Sequence, residues 1–160
     1  MRNFFQSVLT VFAIASLPAL GATDFSGTWV LDPARSNLGA GAGAGAAAAK
    51  SPMSTMTLVI RQTSATLATD RKAGDRVETA IHKLDGSPSV NKTPSGADVT
   101  STSAWVGNTL VTKSSATIQG TAVQSSDVRS LEDGGKTMVI EVTRQTPRGD
   151  VKQRLVYNRQ

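Results

Sequence analysis

Asp24-Phe25-Ser26-Gly27-Thr28-Trp29-Val30-Leu31-Asp32-Pro33-Ala34-Arg35-Ser36 is the stretch from which the rest of the chain reads. Trp29-Val30-Leu31 is strand material, and Asp32-Pro33 stops it, because proline has no N–H to give to a ladder. Upstream lies a leader. Arg2 supplies a positive charge, Val8 to Leu20 is uncharged and apolar, and Ala19 and Gly21 put small residues on the near side of a cleavage point after Gly21. That run is shorter than the ~18 residues a spanning helix needs. Residues 1–21 therefore read as a signal peptide, and 22–160 as the mature chain with no membrane span.

A chain of 160 residues carries one domain with a real core. It has no cysteine, which excludes a disulfide framework, a thiolate metal site and lipid attachment at the leader. An exported domain of this kind holds together by packing and sheet hydrogen bonds, and its address is periplasmic or secreted. The formal charge of +5 falls to about +4 without Arg2, with the signs interspersed. Neither a basic stripe nor a stacking set is present, with aromatics at 4%, so nucleic acid is not an expected partner.

Downstream of Ser36, residues 39–49 alternate glycine and alanine and then run on as alanine, which reads as a flexible loop without apolar bulk. From Thr55 the chain is a train of short strands: 56–60, 64–69, 76–82, a weak strand before Pro94, then 97–106, 109–118, 121–131, 136–145 and 150–158. Lys72-Ala73-Gly74-Asp75, Gly107-Asn108, Gln119-Gly120, Asp133-Gly134 and Pro147-Arg148-Gly149 are the turn signals between them. No segment past residue 22 has helical periodicity beyond a short turn near 32–37. The fold class is all-β: one antiparallel up-and-down meander of 8–10 strands that buries its edges by closing into a barrel, with a two-sheet sandwich as the competitor. Lys113, Glu141, Lys152 and Arg154 on outward positions, with few aromatics, exclude an outer-membrane barrel.

Gly27-Thr28-Trp29, with Leu31-Asp32-Pro33-Ala34-Arg35-Ser36 after it, resembles the opening of small exported bacterial lipocalin-like (calycin-like) proteins. Leu131-Glu132-Asp133-Gly134-Gly135-Lys136-Thr137-Met138 resembles one of their late hairpins. The resemblance implies a barrel in which Trp29 plugs the closed end against an arginine of a late strand. Arg154 and Arg159 are the candidates, and Arg159 shares the face of Leu155 and Tyr157. It further implies a small apolar or amphipathic ligand. The Thr-Asp-Tyr type motif and the C-terminal helix of true lipocalins are missing.

Turn positions set a trial register. One row is Trp105, Leu110, Arg129, Ile140 and Leu155; the next is Ser103, Thr112, Asp127, Val142 and Gln153; the third is Ser101, Ser114, Ser125, Arg144 and Val151. The apolar members make this face the interior, and its polar centre needs partners, since each unpaired buried group costs about 1–3 kcal/mol. Ser103, Trp105, Thr112, Ser114, Ser125, Asp127, Arg129 and Arg144 are the expected ligand-binding residues, with Asp127, Arg129 and Arg144 on the ligand's polar group. The expected function is an exported carrier or scavenger of a small, partly apolar molecule. The alternative is a ligand-free structural or interaction domain of the cell envelope.

Catalytic chemistry is not expected. His82 is the only histidine, too few for a metal site of the usual kind, and alternation with Val77, Thr79 and Ile81 inward turns it outward. No Gly-x-Ser-x-Gly elbow and no phosphate-cradling loop occur, so no cofactor is expected. Met53, Met56 and Met138 read as core fillers.

Overall fold

The computed structural model describes residues 23–38, 56–118, 120–146 and 149–160. The expected leader, the Gly/Ala run at 39–49, Met53, Gln119 and Pro147-Arg148 lie outside the described residues. Among those described are ten strands. They are β1 (Gly27–Leu31), β2 (Thr57–Gln62), β3 (Thr66–Ala73), β4 (Arg76–Lys83), β5 (Ser89–Lys92), β6 (Asp98–Val106), β7 (Thr109–Ile118), β8 (Thr121–Glu132), β9 (Thr137–Thr146) and β10 (Gly149–Arg159). They form one antiparallel sheet in the order β4-β3-β2-β1-β10-β9-β8-β7-β6-β5. First and last strands pair in its middle, Trp29 opposite Arg159. The meander is the expected one, rolled into a nearly closed barrel.

Alternation is the reason. In β6, Ser101 and Ser103 are buried while Thr100, Thr102 and Ala104 are exposed, the period-two signature of a wall with a wet outside. Gly107 at φ +59° makes the two-residue turn from β6 to β7, a conformation that costs glycine nothing. That turn pairs Trp105 with Leu110, and every later pair of the expected register follows.

The barrel lacks a ladder at one place, between β4 and β5. There side chains replace backbone. Asn91 accepts from Ile81 N–H at 2.8 Å and donates to Ile81 C=O at 3.0 Å. Ser89 Oγ accepts from Lys83 N–H at 2.8 Å. On the inside, His82 Nδ1 lies 3.0 Å from Ser101 Oγ and ties β4 to β6.

That contact corrects the expected face of β4. Leu67 is fully buried and pairs with His82, so the two share the inner side. Val77 and Ile81 are 58% and 50% exposed. Hydrophobicity misleads here because β4 borders the seam, where branched aliphatics serve strand propensity rather than burial. Two smaller corrections concern extent. β3 runs on to Ala73, leaving Gly74-Asp75 as the turn, and residues 33–35 make a turn before Asn37 bridges to Arg154.

Residues at the closed end form the apolar floor. Phe25, Trp29, Leu67 and Met138 have no exposed surface, and Met56, Ile60, Leu110 and Tyr157 have almost none. Trp29 Nε1 donates to Phe25 C=O at 2.8 Å, and Arg159 lies with its guanidinium carbon 4.3 Å above the Trp29 ring. The same guanidinium donates to Ser26 C=O at 2.7 Å and Gly135 C=O at 2.9 Å. Arg159, rather than Arg154, is thus the arginine over the plug. Arg154 contacts Glu132 instead. Burying rings as large as Trp29 and Phe25 contributes about 4–6 kcal/mol each before entropy, so this plug anchors the barrel.

Candidate functional site

Toward the mouth the lining changes from apolar to polar. β6 and β7 bring Ser103 and Thr112 together, both buried, with their hydroxyls 2.8 Å apart. One hydroxyl donates to the other, so both oxygens have a partner. Trp105 stacks on Phe25, with centroids 5.9 Å apart and planes 7° from parallel, and so belongs to the floor. Ser114 and Ser125 are half-buried opposite each other on the row nearer the mouth, and Arg144, opposite Ser125, is exposed there.

Asp127 and Arg129 are neighbours on the inner side of β8, two residues and so about 7 Å apart along the strand. Asp127 faces Val142, which puts Arg144 on the diagonal to it; Arg129 faces Ile140. Asp127 therefore has a guanidinium on each side, Arg129 toward the floor and Arg144 toward the mouth. Among the described residues none of the three is in an ion pair. Arg129 is half-buried, its Nε is enclosed without a hydrogen-bond partner, and its guanidinium carbon lies 5.8 Å from the Phe25 ring centroid.

Electrostatics reflect that enclosure. Burial raises Asp127 above the ordinary carboxylate value, opposed by Arg129, Arg144 and Arg71. Burial lowers Arg129, opposed by Asp127 and then Tyr157. Burial pushes the Tyr157 hydroxyl up to about 12. His82 is lowered to about 4, first by burial and then by the charge of Arg129, so it is neutral at pH 7. A lumen that makes cations costly nevertheless holds several.

Sequence reasoning missed Arg71, His82 and Thr69 in this lining. Arg71 sits on β3, its Nη1 3.5 Å from Glu78 and its Nε 2.9 Å from Met56 Sδ. Thr69 Oγ1 is a second enclosed atom without a partner. The signal was available in Leu67, whose alternation through Thr69 and Arg71 carries the inner face to the end of β3.

Two hollows are prominent. The larger, about 490 Å³, lies on the outer wall over β6–β9, walled by outward side chains such as Thr102, Lys113, Ser126 and Thr143. Of the expected ligand-binding residues only Ser114 and Ser125 border it. The smaller, about 270 Å³, lies at the closed end beside Asp24, Gln62, Leu84 and Trp105. Neither is lined by Asp127, Arg129 or Arg144. Among the described residues no group of three or more His, Cys, Asp or Glu is placed to hold a metal ion.

Fold and lining together define, among the described residues, a ten-stranded, nearly closed meander barrel with an apolar floor and arginines on its inner wall. No family model matches the chain, and no curated protein matches it. Among solved structures it is similar to one titled "REP1-NXSQ fatty acid transporter", with 17% identity, a TM-score of 0.60, and coverage of 84% of this chain and 95% of that one. At that identity the likeness is one of fold.

Proposed function

We propose that this protein is an exported carrier or scavenger, periplasmic or secreted, that takes a small amphipathic molecule into its barrel. The apolar part lies toward Leu110, Ile140 and Leu155, and the polar group meets Arg129 and Arg144. One observation carries this reading: the enclosed Nε of Arg129 has no partner, although leaving such a donor unpaired costs about 1–3 kcal/mol. The polar group of a guest would give that donor an acceptor. The fold it shares with a structure titled a fatty acid transporter is compatible with that use.

A second reading, a ligand-free envelope domain, is favoured by the larger hollow lying on the outer wall. Native mass spectrometry separates the two. Protein purified without detergent and titrated with dodecanoate should show a saturating one-to-one adduct that Arg129→Gln removes. A bare mass at every dodecanoate concentration, in a protein that remains folded, rejects the carrier in favour of the second reading.

A further inference from the structure

The charged groups of the lumen are unequal in number, and their pairing says what is left over. Arg71 has its own carboxylate in Glu78, at 3.5 Å. His82, with Ser101 at 3.0 Å, is neutral at pH 7 and adds nothing. Arg129 and Arg144 then face a single carboxylate, Asp127, which sits between them on the inner surface. Neither guanidinium is close enough to Asp127 to form an ion pair with it. The charge of one anion is therefore left unbalanced on this surface.

We infer that Asp127 sets the charge of the guest: the lumen selects amphiphiles bearing one negative charge over neutral or dianionic ones. The inference rests on the carrier reading and deepens it. A monoanion balances the second guanidinium. A neutral head leaves that guanidinium uncompensated, and a dianion sets its extra charge against Asp127. Two like charges about 7 Å apart at an effective dielectric constant near 20 repel strongly enough to cost at least tenfold in affinity. Asp127 is thus a specificity residue, and the arginines are the binding residues.

Competition binding at pH 8.5 tests this with dodecanoate, dodecyl phosphate and dodecanol, which carry one, two and no negative charges on the same chain. The wild type should hold dodecanoate about tenfold or more tighter than either of the others. Asp127→Asn, which keeps the shape, should move the preference by about tenfold toward dodecyl phosphate. Arg144→Gln at the exposed mouth should bring dodecanoate down to the level of dodecanol, and it guards against a folding defect in the first variant. Equal ranking of the three probes in wild type and both variants overturns the charge rule and leaves the carrier standing. Failure of every probe to bind the folded wild type removes both.

Discussion

Replacing Arg129 with methionine should make the protein more stable and empty of guest at once. The guanidinium is half-buried, its Nε is enclosed without a partner, and burial already disfavours its charge. An unsatisfied enclosed donor costs about 1–3 kcal/mol. Its contact with Phe25, at 5.8 Å from the ring centroid, returns only about 0.5–1 kcal/mol. Methionine keeps most of the volume and places sulfur near the same ring, a contact of comparable size. The opposing term is Asp127, which loses one compensating charge but keeps Arg144 and Arg71. The net expectation is a gain of about 1–2 kcal/mol in urea unfolding at pH 7, equivalent to a Tm rise of roughly 3–8 °C. Arg129→Met with Asp127→Asn should gain at least as much, because it removes the stranded carboxylate as well. Dodecanoate binding should be lost in both. A loss of more than ~1 kcal/mol in both proteins would show that Arg129 is a structural strut, refuting the reasoning that it is held at a cost for a guest.

Three other outcomes are expected. His82 is lowered from 6.5 to about 4 in the fold, so its neutral form is the stabilising one. Its contribution is complete above pH 6.5 and is lost as pH falls toward 4, up to ~3 kcal/mol, and His82→Asn should flatten that acid limb in urea melts at pH 7 and 4.5. Gly27 has φ +134°, and a Cβ there would stand 2.9 Å from Arg159 Nη1, so Gly27→Ala should cost about 1–3 kcal/mol and lower the Tm by several degrees. Asn91→Ala removes both bonds to Ile81 across the seam, which should cost about 1–2 kcal/mol. Hydrogen exchange should then speed up in β4 and β5 while β8–β10 keep their protection.

How far the sequence carried can be seen in particular residues. Gly107-Asn108 gave a two-residue turn, and one such turn aligns Trp105 with Leu110 and then each row to Leu155, because side chains alternate with strict period two. Gly27-Thr28-Trp29 marked the plug in the same way, and the face shared by Leu155, Tyr157 and Arg159 identified the arginine above it. β3 and β4 were harder to read. Arg71 falls where Lys72-Ala73-Gly74-Asp75 looks like a turn, and His82 alternates with branched aliphatics that normally face inward. Those aliphatics face water because His82 pairs with the fully buried Leu67 and so takes the inner face, and a cross-strand pairing leaves no mark in local pattern. The seam escaped for the same reason, since it is closed by Asn91, Ser89 and His82 side chains rather than by backbone pairing. Nor does sequence periodicity report which hollows a curved wall encloses, and the larger of the two described lies over the outer wall.

The most direct test is the side-chain Nε–H resonance of Arg129 followed by NMR while dodecanoate is added to the folded protein. A saturable shift of that resonance, together with the amides of Phe25 and Ile140, is the expected result. An unmoved Arg129, with shifts confined to Lys113, Ser126 and Thr143 on the outer wall or with none at all, would contradict a guest inside the barrel.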